Sequence, residues 1–351
     1  MKLRHGFALL AGALLILLLA ACNNDKTPNA GAPGAANAVK LQGAGASFPA
    51  PLYVKWFRAF SGSHPGVQVD YQSVGSGSGV KSVIDKTVDF GASDAAMTDE
   101  EIARVPGGVQ LIPMTAGSIV IGYNVPEVKG LKLSRKAYAG IFLGKIRRWN
   151  DPELARVNPG VKLPDKPINV VVRADSSGTS FVFSSHLSAI SPEFNKLVGP
   201  NKMPNWPAGT KSKGNEGVTA SLMTTPGSIG YIEFGYAKSQ NVPFATLENK
   251  AGKYVAATTA SGQAALAAAK LPENLIVWNS DPTGPEAYPI VTYTWQMFYK
   301  KYEARKLAAL RDLIKYQLTD GQKDAESLGY IPLPQNVVDK GLAAAANITA
   351  Q

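Results

Sequence analysis

Apolar and polar positions along the chain follow two periods in turn. Val67-Gln68-Val69-Asp70-Tyr71 alternates as a half-buried strand does, and Ser118 to Tyr123, Ile168 to Val172 and Leu275 to Trp278 are short apolar runs of the buried-strand type. Between them the period changes. Leu52, Tyr53, Trp56, Phe57 and Phe60 recur at spacings of three and four, Val80, Val83 and Ile84 do the same, and Leu307, Leu310, Leu313, Ile314 and Leu318 mark a long amphipathic helix. Strands alternating with helices predict an α/β fold with mixed, mainly parallel sheets. No repeat of helical-solenoid or propeller length interrupts the pattern.

The first residues break it. Lys2 and Arg4 precede an apolar, Leu-rich run from Ala8 to Ala21, which is short for a bilayer span and ends at Leu19-Ala20-Ala21-Cys22. This resembles the lipobox of bacterial lipoproteins, in which the Cys is acylated and becomes the new N-terminus. The expectation is a signal peptide over 1–21, a lipidated Cys22, and a flexible tether of Asn, Pro, Gly and Ala through residue 38. The protein is then exported, periplasmic or at the cell surface, and held to a membrane by its lipid. Cys22 is the only cysteine, so disulfides and thiolate metal sites are excluded, and no metal or cofactor is expected.

With 351 residues, the chain is long enough for two lobes. Pro113 to Gly117 and Asp281 to Pro289 are rich in chain-breaking residues. Crossings there give lobe I from 39–116 and 287–351, and lobe II from 117–286. The formal charge of +10 suits a cleft that attracts anions, whereas no Lys/Arg block of nucleic-acid type occurs.

Three segments carry the chemistry, each a turn rich in Gly and hydroxyls ahead of a helical pattern. In Gly43 to Pro49, Pro49 fits the first helical turn and Ser47 the cap. Gly75-Ser76-Gly77-Ser78-Gly79-Val80-Lys81-Ser82 falls one glycine short of a nucleotide-binding P-loop, because Val80 occupies the second required position. The exposed N–H groups of a helix start still favour an anion. In the third, the strand Val171-Val172 runs into Arg173, whose planar fork suits a tetrahedral oxyanion, with Asp175 close enough to orient it and Ser177, Gly178 and Thr179 following. A fourth segment, Asp89 to Asp94, adds acids. A carboxylate beside an anion repels it unless the anion carries a proton, so Asp94 selects hydrogen phosphate over sulfate. The bland alternative for Asp94 is a helix cap ahead of Met97 and Ile102.

Together these segments resemble the phosphate-binding proteins of the bacterial phosphate-specific ABC transport system, the PstS family. The matching stretches are GAGASFPAPLYVKW, YQSVGSGSGVK, TVDFGASDAAM, VVRADSSGTSFVF, TPGSIGYIEFGYA and LGYIPLP, in family order, across residues 40 to 337. The resemblance implies a two-lobed, type II-like periplasmic binding protein fold with the ligand cleft between the lobes. It implies phosphate ligands at Ser47, Phe48 (through its N–H), Ser76, Asp94, Arg173, Ser177, Gly178 and Thr179, with Asp175 pairing Arg173. Its partners are inorganic phosphate and the permease subunits of an importer, and the protein is a monomer that closes by a hinge. Ser47 stands where the family often has Thr, Ser176 where it often has Gly, and the second loop reads GSGSG rather than GSSGG.

Three other readings compete: a receptor for sulfate or molybdate, which Asp94 disfavours, a surface adhesin or signalling lipoprotein, of which the adhesin would not need an Arg173 ringed by hydroxyl donors, and a serine-dependent phosphatase or hydrolase. The last needs a base near a serine, but His5 lies in the signal, His64 in a loop and His186 in a helical stretch, and no GxSxG or HExxH motif occurs. No enzyme activity is expected. Trp206, Trp295 and Phe298 fit a core or an interface, with core the safer reading.

Overall fold

The computed structural model describes residues 38–267 and 269–351; the signal segment, Cys22 and most of the tether lie outside them. Eight strands form one mixed sheet in the order Val67–Ser73, Val39–Gly45, Phe90–Ser93, Val291–Tyr299, Val109–Tyr123, Ser228–Glu233, Asn169–Arg173, Thr210–Ser212. Val39–Gly45 runs parallel to both its neighbours, as does Asn169–Arg173. Val291–Tyr299 is antiparallel to both of its own.

Val109–Tyr123 joins the two halves. Val109 to Ser118, apart from Met114, pair with Val291–Tyr299, and Ile119 to Tyr123 pair with Ile229 to Glu233. The sequence led us to expect a break at Pro113 to Gly117, yet the strand continues through it. Trp295 stands opposite Pro113 and Thr294 opposite Thr115, so Met114 is the extra residue of a bulge. A proline without an N–H is tolerated at such a point in a central strand, because a ladder bond is already missing there.

The helix Ala50–Ser63 follows from its apolar spacing: Leu52, Tyr53, Trp56, Phe57 and Phe60 are all buried. Burying each contributes about 1.5–3 kcal/mol. Trp56 also donates its indole N–H to the Gly321 carbonyl at 2.7 Å. The helix Ala304–Leu318 buries Leu307, Leu310, Leu313, Ile314 and Leu318, the positions its periodicity singled out.

Leu275 to Trp278 is not a strand. Leu275 takes a left-handed conformation (φ 61°) and its carbonyl accepts the Trp295 indole N–H at 2.7 Å, and the run leaves the core as irregular chain, ending at the exposed Trp278. Trp295 is fully buried, and Trp206 packs against Phe142, Phe183, Phe194 and Tyr231; both belong to aromatic clusters of the core. Phe298 is buried against Phe90.

Candidate anion-binding site

The sequence-predicted residues converge at the carboxyl ends of parallel strands, where open α/β sheets place their ligands. Ser47 and Phe48 follow Val39–Gly45, Asp94 follows Phe90–Ser93, and Arg173 closes Asn169–Arg173. Ser76 opens the helix Ser76–Ile84, and Gly178 and Thr179 open Gly178–Ile190. Ser47, Phe48, Ser76, Asp94, Ser177 and Thr179 are all buried, and Arg173 is only 5 % exposed.

Several details differ from expectation. Ser47 does not cap a helix: Pro49 holds that position, and the Ser47 hydroxyl accepts instead from Asn215. In the GSGSG run only Gly75 is a turn, at φ 96°; the helix has begun by Ser76. Asp94 caps no helix either, since Thr98 and Glu101 form the capping box of the next one. Ser177 is itself an N-cap: its hydroxyl accepts from the Ser180 N–H, and its own N–H donates to the Lys202 carbonyl.

Arg173 is the electrostatic centre. Its Nε donates to Asp175 Oδ1 at 2.9 Å and one Nη to Asp175 Oδ2 at 2.5 Å. Burial works against its charge, but the Asp175 hydrogen bonds together with the charges of Asp175 and other nearby groups outweigh this and raise its pKa. For Asp175 burial pushes upward, and the Arg173 bonds and charge prevail to hold it below the usual carboxylate range. The remaining nitrogen, Nη1, is buried with no hydrogen-bond partner. A charged donor left this way costs several kcal/mol unless an acceptor meets it.

Asp94 faces it from the other half of the sheet. Burial raises its carboxyl to about 7, although hydrogen bonds from Thr294 and Thr179 and the charge of Arg173 pull the other way. Thr294 Oγ1 donates to Oδ1 at 3.0 Å and Thr179 Oγ1 to Oδ2 at 3.2 Å.

Glycine sets how closely the two sides approach. A Cβ on Gly178 would lie 2.5 Å from Ser76 Oγ and 2.8 Å from the Ala95 nitrogen. The Gly77 N–H donates across the cleft to the Ser176 carbonyl at 2.9 Å, and Lys202 Nζ reaches Glu101 at 2.8 Å.

Sequence reading missed Asn215, Thr294, Tyr236 and Tyr330. Tyr236 and Tyr330 donate their hydroxyls to the Ser47 and Phe48 carbonyls, both at 2.7 Å. Asn215 follows Gly214, whose φ of 70° repeats the glycine turn ahead of a helix, and that signal was legible. Thr294 sits inside a strand and carried none. His186 is buried, with its ring nitrogens bonded to the Tyr138 hydroxyl (2.8 Å) and the Ser280 carbonyl (2.7 Å) rather than to a cleft serine; burial lowers its pKa to about 4.

A family model described as "PBP superfamily domain" matches residues 29–320. The phosphate-binding protein PstS of Pasteurella multocida is 40 % identical over 309 residues, covering 86 % of this chain and 88 % of that one. The chain belongs to the PstS family. A PstS of Methanocaldococcus jannaschii is 36 % identical, with 96 % of this chain and 94 % of the relative covered. Among solved structures, a high-affinity periplasmic phosphate-binding protein (PfluDING) bound with phosphate superposes with a TM-score of 0.71 at 21 % identity, over 87 % of this chain and 93 % of that one. A phosphate-binding protein from Stenotrophomonas maltophilia gives 0.70 at 21 % identity, over 87 % and 94 %. These two establish the fold, a mixed α/β periplasmic binding protein architecture.

Proposed function

We propose that this protein captures inorganic phosphate outside the cytoplasmic membrane and delivers it to the permease subunits of an ABC importer. The observation that carries this is the unpartnered, buried Nη1 of Arg173, set among Ser47, Ser76, Ser177 and Thr179 and facing a carboxyl that titrates near 7. Asp175 neutralises most of the guanidinium charge, so the anion is held chiefly by hydroxyl and backbone dipoles, with Arg173 supplying one charge-assisted contact. The Phe48 and Gly178 N–H groups complete the ligand set. Asp94 accepts the proton of hydrogen phosphate, which sulfate lacks near neutrality, and this disfavours the sulfate or molybdate reading. The PstS name of the relatives supports the transport role.

The chain acts as a monomeric receptor rather than a hydrolase, because His186 is engaged by Tyr138 and Ser280. Lobe I (39–116 and 287–351) and lobe II (117–286) close on the anion by a hinge, and contacts from both sides favour the closed state. Arg173→Lys keeps a charge and loses the fork. It should cost about 2–5 kcal/mol, thirty-fold or more in phosphate affinity by calorimetry; an unchanged affinity would remove Arg173 from the ligand set. Cys22 carries the lipid, and no helix among the described residues is long and apolar enough to cross a membrane. Cys22→Ser should shift the protein from the membrane to the soluble fraction, and retention on the membrane would refute the anchor.

A further inference from the structure

Asn215 lies in the first turn of the helix Gly214–Thr224 and is fully buried. Its Oδ1 accepts the Glu233 N–H at 2.9 Å. A backbone N–H can only donate, so this contact fixes the orientation of the amide: the acceptor end faces Glu233 and the NH₂ end faces the cleft. There Nδ2 lies 3.0 Å from Ser47 Oγ and 3.2 Å from Thr179 Oγ1, and the Asn215 backbone N–H lies 2.9 Å from the same Ser47 oxygen. A serine hydroxyl has two lone pairs and one proton. Both lone pairs of Ser47 are taken by Asn215, which leaves only the proton to offer. Thr179 accepts from Nδ2 and passes its own proton toward Asp94 Oδ2 at 3.2 Å. The turn is anchored from behind as well, because the Gly214 N–H donates to Asp175 Oδ1 at 3.0 Å and Asp175 is gripped by Arg173.

We propose that Asn215 is a positioning residue that sets the hydrogen-bond polarity of the cleft, holding Ser47 as a donor toward an acceptor-rich anion and Thr179 as a donor to Asp94. This rests on the phosphate reading given above. Hydroxyls are adaptable and would otherwise turn to suit one another or water. With both its lone pairs filled, Ser47 is pre-set before the ligand arrives, and with Thr179 turned onto Asp94 no reorientation opposes binding. Because the Ser47 contacts cross from one half of the sheet to the other, the same amide links polarity to closure.

The test is calorimetric titration of inorganic phosphate into four ligand-stripped proteins: the wild type, Asn215→Ala, Ser47→Ala and the double variant, with melting curves to confirm folding. The expected result is a loss of thirty-fold or more for Asn215→Ala in the wild-type background, shrinking to less than a third of that factor when Ser47 is already Ala. A role confined to packing would lower the melting temperature and leave the two factors equal. A folded Asn215→Ala protein binding within threefold of wild type, or equal factors in the two backgrounds, would overturn the proposal. If Asn215→Ala does not fold, Asn215→Asp, nearly the same shape with an acceptor in place of the donor, is judged by the same cycle. Absence of phosphate binding by the wild type would instead refute the functional reading on which the inference stands.

Discussion

Asp94 is one carboxyl with two consequences. Its ordinary titration lies at 3.8, and burial moves it to about 7. Folding therefore favours the protonated form. The stability linked to Asp94 is fully present below the ordinary value and is lost as pH rises through about 7, a difference of about 4 kcal/mol. In the anion-free protein, Asp94→Asn should raise the melting temperature at pH 8, with the gain fading toward pH 4. A variant less stable than wild type at pH 8 would contradict the assignment of burial as the cause. The placement of Asp94 in the site was legible because an acid among Gly- and hydroxyl-rich turns is an anomaly that asks for a reason. So was Arg173, a cation placed directly after an apolar strand with Asp175 two residues on. Thr294 was not, since nothing in Val-Thr-Tyr-Thr-Trp distinguishes a threonine on Asp94 from one that merely suits a strand.

At the scale of elements, the helix Gly178–Ile190 shows how a missing side chain positions a site. Its first residue packs against Ser76, Asp94 and Ala95 on the opposite side, at distances that leave no room for a methyl group. Part of that contact is backbone, which cannot swing aside. Gly178→Ala should therefore oppose closure at a cost of about 1–3 kcal/mol, five- to a hundred-fold in phosphate affinity, while changing the melting temperature of the ligand-free protein little. Unchanged affinity would mean that the two sides do not meet this closely when phosphate is bound. The helices announced themselves by their periodicity, since one face of each packs on the sheet and the other meets solvent. Short apolar runs did not separate so cleanly. Leu275 to Trp278 has the composition of a buried strand, but its contacts are an indole bond to Trp295 and the edge-on and tilted packing of Trp278 against Phe181 and Trp295 rather than a ladder. The glycines and Pro113 similarly read as loop and are instead a helix start and a bulge, because tertiary contacts decide what a permissive residue does.

For the whole molecule, charge and shape work together. The formal charge is +10, yet few charges reach the site, which gathers one guanidinium, its paired acid and a second acid across the cleft; on the proposed reading these set the selectivity. The long strand Val109–Tyr123 lets one sheet present both walls, and contacts such as Lys202–Glu101 and Gly77–Ser176 hold them together. The α/β architecture followed from alternating periods. How Asn215, Thr294 and the two tyrosines complete the walls depends on residues brought together from distant parts of the chain, which periodicity does not report. The most direct test is calorimetric titration of the ligand-stripped protein with phosphate and with sulfate at pH 8 and pH 5, repeated for Asp94→Asn. The account predicts phosphate binding without measurable sulfate binding at pH 8, sulfate binding emerging as Asp94 gains its proton, and sulfate binding at both pH values in the variant. A folded wild-type protein that binds no phosphate, or that binds sulfate as well as phosphate at pH 8, would contradict it.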